Sequence, residues 1–118
     1  MQKILILEDE PNLSELLKEL LTIEGYNVSA PNSFDQINEM VAKFLPDAII
    51  MDIHLGDIDG LKAIADIRLD PTHSDLYILA LSGVNLTYEA KEAGANAFLQ
   101  KPFMADEIIN QLNQNIKS

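Results

Sequence analysis

Pro46-Asp47-Ala48-Ile49-Ile50-Met51-Asp52 decides how this chain is read. A proline and an aspartate break the preceding segment, a short apolar run follows, and the run stops at a carboxylate. An apolar run of this length, bounded by turn residues, fits a strand buried on both faces. Such a strand presents the acid that ends it at the rim of a sheet. The run Ile4-Leu5-Ile6-Leu7 ends in the same way, at Glu8 and Asp9. If the two strands are neighbours, three carboxylates converge. Crowded like charges raise one another's pKa or demand a cation. The pattern therefore points to a divalent metal site beside a reactive aspartate, Asp52.

Outward from these two strands, apolar runs alternate with segments of helical period. Leu13, Leu16, Leu17, Leu20 and Leu21 have the spacing of one helix face, with Pro11 suited to its first turn and Gly25 to its stop. Tyr26 to Ala30 reads as a short second strand. Ser33 and Gln36 form a capping-box pair ahead of Phe34, Ile37, Met40, Val41 and Phe44. Gly60 opens a third helix with Leu61, Ile64 and Ile67 inward. Leu76 to Leu81 reads as a strand, Leu86 to Ala93 as a brief helix closed by Gly94, and Ala97 to Gln100 as a last strand. Met104 to Ile116 completes the series as a helix with Ile108, Ile109, Leu112 and Ile116 inward. Strands alternating with helices in this way predict a parallel sheet covered on both faces. The fold class is α/β, doubly wound, in one domain over residues 1–118. Ligands in such sheets sit at the carboxyl ends of the strands, which singles out Glu8, Asp9, Asp52, Ser82 and Lys101.

Composition narrows the function. Nineteen acids against eight Lys and Arg give a formal charge of −11, so nucleic acid is not an expected partner, because phosphate contacts need clustered cations. No cysteine is present, which excludes thiolate metal sites and suits a reducing cytoplasm. No signal-peptide pattern opens the chain and no apolar stretch has the length of a membrane span. A cytoplasmic protein without membrane contact is expected.

The strand-end residues form a chemically coherent set. Asp9 and Asp52, with Glu8 directly or through water, supply hard oxygen ligands for Mg²⁺. Aspartate carboxylates serve as phosphoryl acceptors, and that transfer needs cations and hydrogen-bond donors around the phosphoryl oxygens. Lys101 brings the charge and Ser82 a hydroxyl, while Gly83 leaves space for approach. Singly, each has a plainer reading: the acids at 8–10 as favourable charges at a helix N-terminus, Asp52 as a strand-end cap, Ser82-Gly83 as a turn. Their joint placement outweighs these.

At this point the chain resembles the response-regulator receiver domains of two-component signalling, including the chemotaxis-regulator-like single-domain type. The motifs are Ile6-Leu7-Glu8-Asp9-Glu10, Pro46 to Asp52, Asp59-Gly60, Ala80-Leu81-Ser82-Gly83, Ala93-Gly94-Ala95 and Lys101-Pro102-Phe103. The resemblance implies the flavodoxin-like (βα)5 form with strand order 2-1-3-4-5, and Asp52 as the phospho-acceptor, taking a phosphoryl group from a histidine kinase or histidine phosphotransfer protein in a phosphorelay. It implies that Glu8, Asp9 and Asp52, with the backbone carbonyl of His54, hold Mg²⁺. It implies phosphoryl binding by Lys101, a switch through Ser82 and Phe98, a cis bond before Pro102, and a changed surface on the fourth helix, fifth strand and fifth helix for a downstream protein target. Such a domain is no turnover enzyme; self-phosphorylation and self-dephosphorylation are the most expected of it.

Four features depart from the family pattern. Gly56 replaces a common proline, which predicts a more mobile loop. His54 and Val84, each two residues past a reactive position, are placed to tune dephosphorylation. The path from Ser82 to Lys101 is short by about one helical turn, or three to four residues, which predicts a stubby fourth helix. Asn110, Gln111, Asn113, Gln114 and Asn115 leave the last helix few charges, so a monomer is expected. Alternatives are a flavodoxin-like cofactor binder, a Mg²⁺-dependent phosphatase with an aspartyl nucleophile, and a pseudo-receiver that binds partners without phosphorylation. The first lacks a phosphate-cradling loop after the first strand, and the second lacks an acid at position 54. The complete acceptor, metal and lysine set argues against the third.

Overall fold

The computed structural model describes residues 1–116. Its elements are β1 (Lys3–Leu7), α1 (Pro11–Ile23), β2 (Asn27–Ser29), α2 (Ile37–Phe44), β3 (Ala48–Asp52), β4 (His54–Leu55), β5 (Ile58–Asp59), α3 (Gly60–Arg68), a 3-10 turn (Pro71–His73), β6 (Tyr77–Ser82), α4 (Thr87–Ala93), β7 (Ala97–Gln100) and α5 (Ala105–Asn115). Five strands pair in parallel in the order β2-β1-β3-β6-β7. Counting only these strands, the order is the expected 2-1-3-4-5. No helix among the described residues is long and apolar enough to cross a membrane.

Alternation of side chains along the central strands divides the core in two. Leu5, Leu7, Ile49 and Met51 pack with Val41, Ile64 and Ile67 of α2 and α3. Ile4, Ile6, Ala48 and Ile50 pack on the other face with Leu17, Leu21, Ile108 and Leu112 of α1 and α5. Ala48 through Asp52 is buried throughout, as a strand covered on both faces must be. Removing each such Ile or Leu from water contributes about 2 kcal/mol, so the sheet centre forms a firm base for the residues at its carboxyl rim.

Local chemistry differs from expectation at several points. Leu16 lies off the buried stripe of α1, 47% exposed, while Leu17 and Leu21 fill the core. The Ser33–Gln36 capping box does not form: Gln36 is the N-cap of α2 without a side-chain hydrogen bond, and the Ser33 hydroxyl donates to Asp35 Oδ2 at 3.1 Å. Helix α2 starts only at Ile37, so Ser33 does not stand at its N-cap position. The loop at Gly56 is the turn of an antiparallel hairpin of β4 and β5. Gly56 has φ +58°, the positive value that tight two-residue hairpin turns require of their first central residue. Helix α4 is the short element expected, seven residues long and closed by Gly94 at φ +119°.

Candidate functional site at the carboxyl rim of the sheet

Strand pairing brings the predicted acids together. β1 and β3 are direct neighbours, with Leu7 opposite Met51, so Glu8 and Asp9 leave the sheet beside Asp52. Carboxylate oxygens of Glu8, Asp9 and Asp52 all lie within 4.8 Å of one another. Glu8 and Asp52 are buried and Asp9 is exposed. The three consecutive acids at the end of β1 have divided their tasks. Glu10 takes the plain role, its carboxylate accepting from the N–H groups of Asn12 (3.1 Å) and Leu13 (2.7 Å) to cap α1. Glu8 and Asp9 turn to the rim.

Backbone donors fix these carboxylates. Glu8 Oε2 accepts from the Glu10 N–H at 3.0 Å, and Asp52 Oδ1 from the His54 N–H at 3.0 Å. Asp9 Oδ2 accepts from the Gly56 N–H at 3.0 Å, so the turn of the β4–β5 hairpin holds the exposed acid. Sequence reasoning missed this role; Gly56-Asp57 between two short apolar flanks was the available hairpin signal. The hairpin leads into α3, which Asp59 caps by accepting from the N–H of Leu61 at 3.0 Å. Asp59 is thus a helix cap. Gly60 follows for lack of space: a Cβ there would stand 2.6 Å from the Ile53 Cα. Its N–H donates to the Ile53 carbonyl at 2.8 Å, seating α3 against the residue after Asp52.

From the other side β6 and β7 bring Ser82 and Lys101. Ile53 N–H donates to the Leu81 carbonyl (2.9 Å) and Lys101 N–H to the Ser82 carbonyl (2.7 Å), which carries the sheet's register past the strand ends. Lys101 precedes a cis bond to Pro102. Its Nζ lies 2.7 Å from Glu8 Oε1 and 3.2 Å from Asp52 Oδ2. The Asp52 contact has hydrogen-bond geometry. The shorter Glu8 contact is an ion pair without it, leaving buried Oε1 with no hydrogen-bond partner. Ser82 is fully buried; its Oγ accepts from the Val84 N–H at 3.2 Å and stands 3.5 Å from His54 Nδ1. Phe98 lies on β7 two pairing steps before the Ser82–Gln100 level, opposite Ala80, half-buried against the α2–α3 side of the core.

Charge at the rim is unbalanced. Three carboxylates face one ammonium, a formal excess of two negative charges. Burial pushes Glu8 up, against the pull of Lys101 and the Glu10 N–H and with the push of Asp52, to about 7. Burial opposes the charge on Lys101, but Glu8 and Asp52 outweigh it and raise its pKa. This donor set fits a hard divalent cation. Mg²⁺ bonds oxygens at ~2.1 Å and so spans ligands up to ~4.2 Å apart, about half an ångström less than the largest separation the cluster allows. The uncompensated negative charge is what such an ion would satisfy. Exposed His54 reaches this cluster through its N–H, which donates to Asp52, whereas its ring turns toward Ser82. His73 is half-buried, its side chain 13% exposed, with Asp70 Oδ2 3.7 Å from its Nε2.

Residues 4–113 match the response regulator receiver domain model. The transcriptional regulatory protein KdpE of Staphylococcus aureus is 36% identical over 109 residues, which are 90% of this chain and 46% of that protein. The chain spans about half the length, or less, of several such relatives. The chemotaxis protein CheY of Thermotoga maritima is 30% identical over 116 residues, 96% of each chain. Among solved structures, the receiver domain of the sensor histidine kinase PA1611 from Pseudomonas aeruginosa holds a magnesium ion in its active-site cleft. It is 31% identical with a TM-score of 0.86, covering 99% of this chain and 98% of that one. A signal receiver domain from Colwellia psychrerythraea superposes with a TM-score of 0.91 over all of both chains at 17% identity, a likeness of fold alone. With strand order, rim acids and family match in agreement, the chain belongs to the response regulator receiver domain family.

Proposed function

We propose that this domain is the phospho-accepting receiver of a two-component or phosphorelay system, with Asp52 as the acceptor. The observation that carries the reading is Asp52 itself: a buried strand-end carboxylate, clustered with Glu8 and Asp9 and 3.2 Å from the Lys101 ammonium. Receiver domains interact with histidine kinases, so the donor is a phosphohistidine of a kinase or phosphotransfer protein. A carboxylate oxygen of Asp52 forms a bond to phosphorus as the P–N bond breaks. The imidazole leaves with the electron pair, and Asp52 becomes an acyl phosphate. Mg²⁺, held by Glu8, Asp9, Asp52 and the His54 carbonyl, supplies positive charge to the phosphoryl oxygens when bound. Lys101 turns its ammonium from Glu8 and Asp52 to the new dianion. Ser82 already accepts from Val84 and has its own proton to donate to a phosphoryl oxygen.

Both movements change the second half of the sheet. Drawing Ser82 toward the phosphoryl opens space beside β7, into which half-buried Phe98 turns. The surface of α4, β7 and α5 shifts with it, and a downstream protein reads that surface. Hydrolysis of the acyl phosphate resets the domain. We place the protein in the cytoplasm, as its cysteine-free sequence suits, and as a monomer. On α5, Gln111 and Asn113 are spent inside the fold, accepting from the Tyr77 and Tyr26 hydroxyls at 2.7 Å each. That leaves exposed Asn110, Gln114 and Asn115, which carry no charge for a salt-bridged dimer. Sedimentation with and without beryllofluoride checks this: one monomeric species in both conditions is expected, and a beryllofluoride-driven dimer contradicts it.

Fluorine NMR tests the site reading. Beryllofluoride should give a bound signal that requires Mg²⁺ and disappears in Asp52→Asn. A signal retained in that variant would rule Asp52 out as the acceptor.

A further inference from the structure

The rim is not the only acidic concavity. Between the start of α2 and α3 runs an open groove of about 460 Å³. Its floor is apolar, formed in part by Phe34, Ile58 and Ala63, which are half-buried and packed against the core. Its edges carry Asp35, Glu39 and Asp66. The one cation lining it, Lys62, is already engaged by Asp66 at 3.9 Å. Asp35 and Glu39 also border an adjoining hollow of about 300 Å³, so the acidic edge stands between two recesses.

Charge and shape together restrict what such a groove takes. An anion or a nucleic acid meets carboxylates, and a second copy of this chain brings a net charge of −11 of its own. A bare cation gains nothing from the apolar floor. A Lys or Arg side chain uses both features, its aliphatic stem on the floor and its charged head at the rim, and a neighbouring Leu or Ile adds apolar contact. We propose that the α2–α3 groove is a docking surface for a basic amphipathic segment of a partner protein. Ile58 belongs to the hairpin whose Gly56 N–H holds Asp9, so an occupant touches the structure that frames the acid cluster. Docking itself does not depend on phosphorylation of Asp52.

The test is titration of the full chain with a short helical peptide of Lys and Leu, followed residue by residue by NMR. Shifts concentrate on Phe34, Ile58, Ala63 and Asp66 if the groove is the site. Asp35→Asn/Glu39→Gln/Asp66→Asn lowers affinity about tenfold or more, and the single reversal Glu39→Lys weakens binding likewise. Glu15→Gln/Glu19→Gln/Glu92→Gln, which removes the same charge elsewhere, leaves affinity within about twofold. Spermine, a cation without apolar side chains, competes poorly. Equal weakening in both triple variants, shifts spread over the surface, or displacement by spermine at matching concentration each overturn the proposal.

Discussion

Two polar clusters in this domain are built on opposite terms. At the end of α3, each guanidinium nitrogen of Arg68 has an acceptor. Its Nε donates to the Gly94 carbonyl (2.9 Å), one terminal nitrogen to the His73 carbonyl (2.8 Å) and the other to Asn96 Oδ1 (2.8 Å). Asn96 Oδ1 accepts in turn from the Ile78 N–H (2.8 Å), which ties the hub to β6. Gly94 makes room for it, since a Cβ there would meet the Arg68 Cγ at 2.7 Å. At the carboxyl rim the same kind of chemistry is left open, with an excess of acid and a carboxyl pushed up to about 7. A satisfied hub holds elements together, whereas an unsatisfied one waits for charge from outside. The difference separates the structural polar cluster from the functional one, although both are partly buried and both join loops distant in sequence.

That contrast can be broken by substitution. Lys101→Ala should cut the rate of phosphorylation by a small-molecule donor about 10²–10³-fold, as loss of a cation aimed at the developing charge does. Its fold should remain, and an unchanged rate would place the ammonium outside the chemistry. Arg68→Ala should do the reverse. Loss of its hydrogen bonds and stranding of their acceptors should cost roughly 2–3 kcal/mol in urea unfolding, with phosphorylation of the folded protein unchanged. A folded Arg68→Ala protein unable to accept phosphate would erase the distinction.

Glu8 sharpens it through pH. Its carboxyl is raised from 4.5 to about 7 in the folded, metal-free protein, so the unfolded chain releases that proton first as pH rises. This group therefore takes stability away across the window from about 4.5 to 7, by roughly 3 kcal/mol. Metal-free protein should lose stability from pH 5 to pH 8 relative to Glu8→Gln, and Mg²⁺ at pH 8 should restore it. Parallel pH profiles for the two proteins would show that Glu8 carries no such burden. The smallest effect belongs to His54 and Val84, which meet at the Ser82 hydroxyl. Exchanging either should change dephosphorylation about three- to tenfold, or roughly 1 kcal/mol, with Mg²⁺ affinity held. Equal dephosphorylation rates in all variants would remove them from that step.

Much of this was legible in the chain because burial on both faces writes a strand as a continuous apolar run, and the acids that end β1 and β3 stand out against it. Once two such strands are neighbours, the meeting of Glu8, Asp9 and Asp52 follows. What stayed hidden depends on partners far along the chain. The acceptors of Arg68 lie up to 28 residues away, and no periodicity marks them. Gln111 and Asn113 read as an idle polar face, yet each takes a tyrosine hydroxyl from another element. The β4–β5 strands, two residues each, are too short to show alternation. Ser33 and Gln36 matched a capping motif, yet the helix begins later, with Gln36 itself at the N-cap.

The central claim is that the open cluster exists to place a phosphoryl group on Asp52. Incubation with Mg²⁺ and acetyl phosphate, followed by intact mass, measures it most directly. One added phosphoryl is expected in the wild type, with none in Asp52→Asn and none when the metal is chelated. A phosphoryl adduct that persists in Asp52→Asn, or a wild type that never gains one, would contradict it.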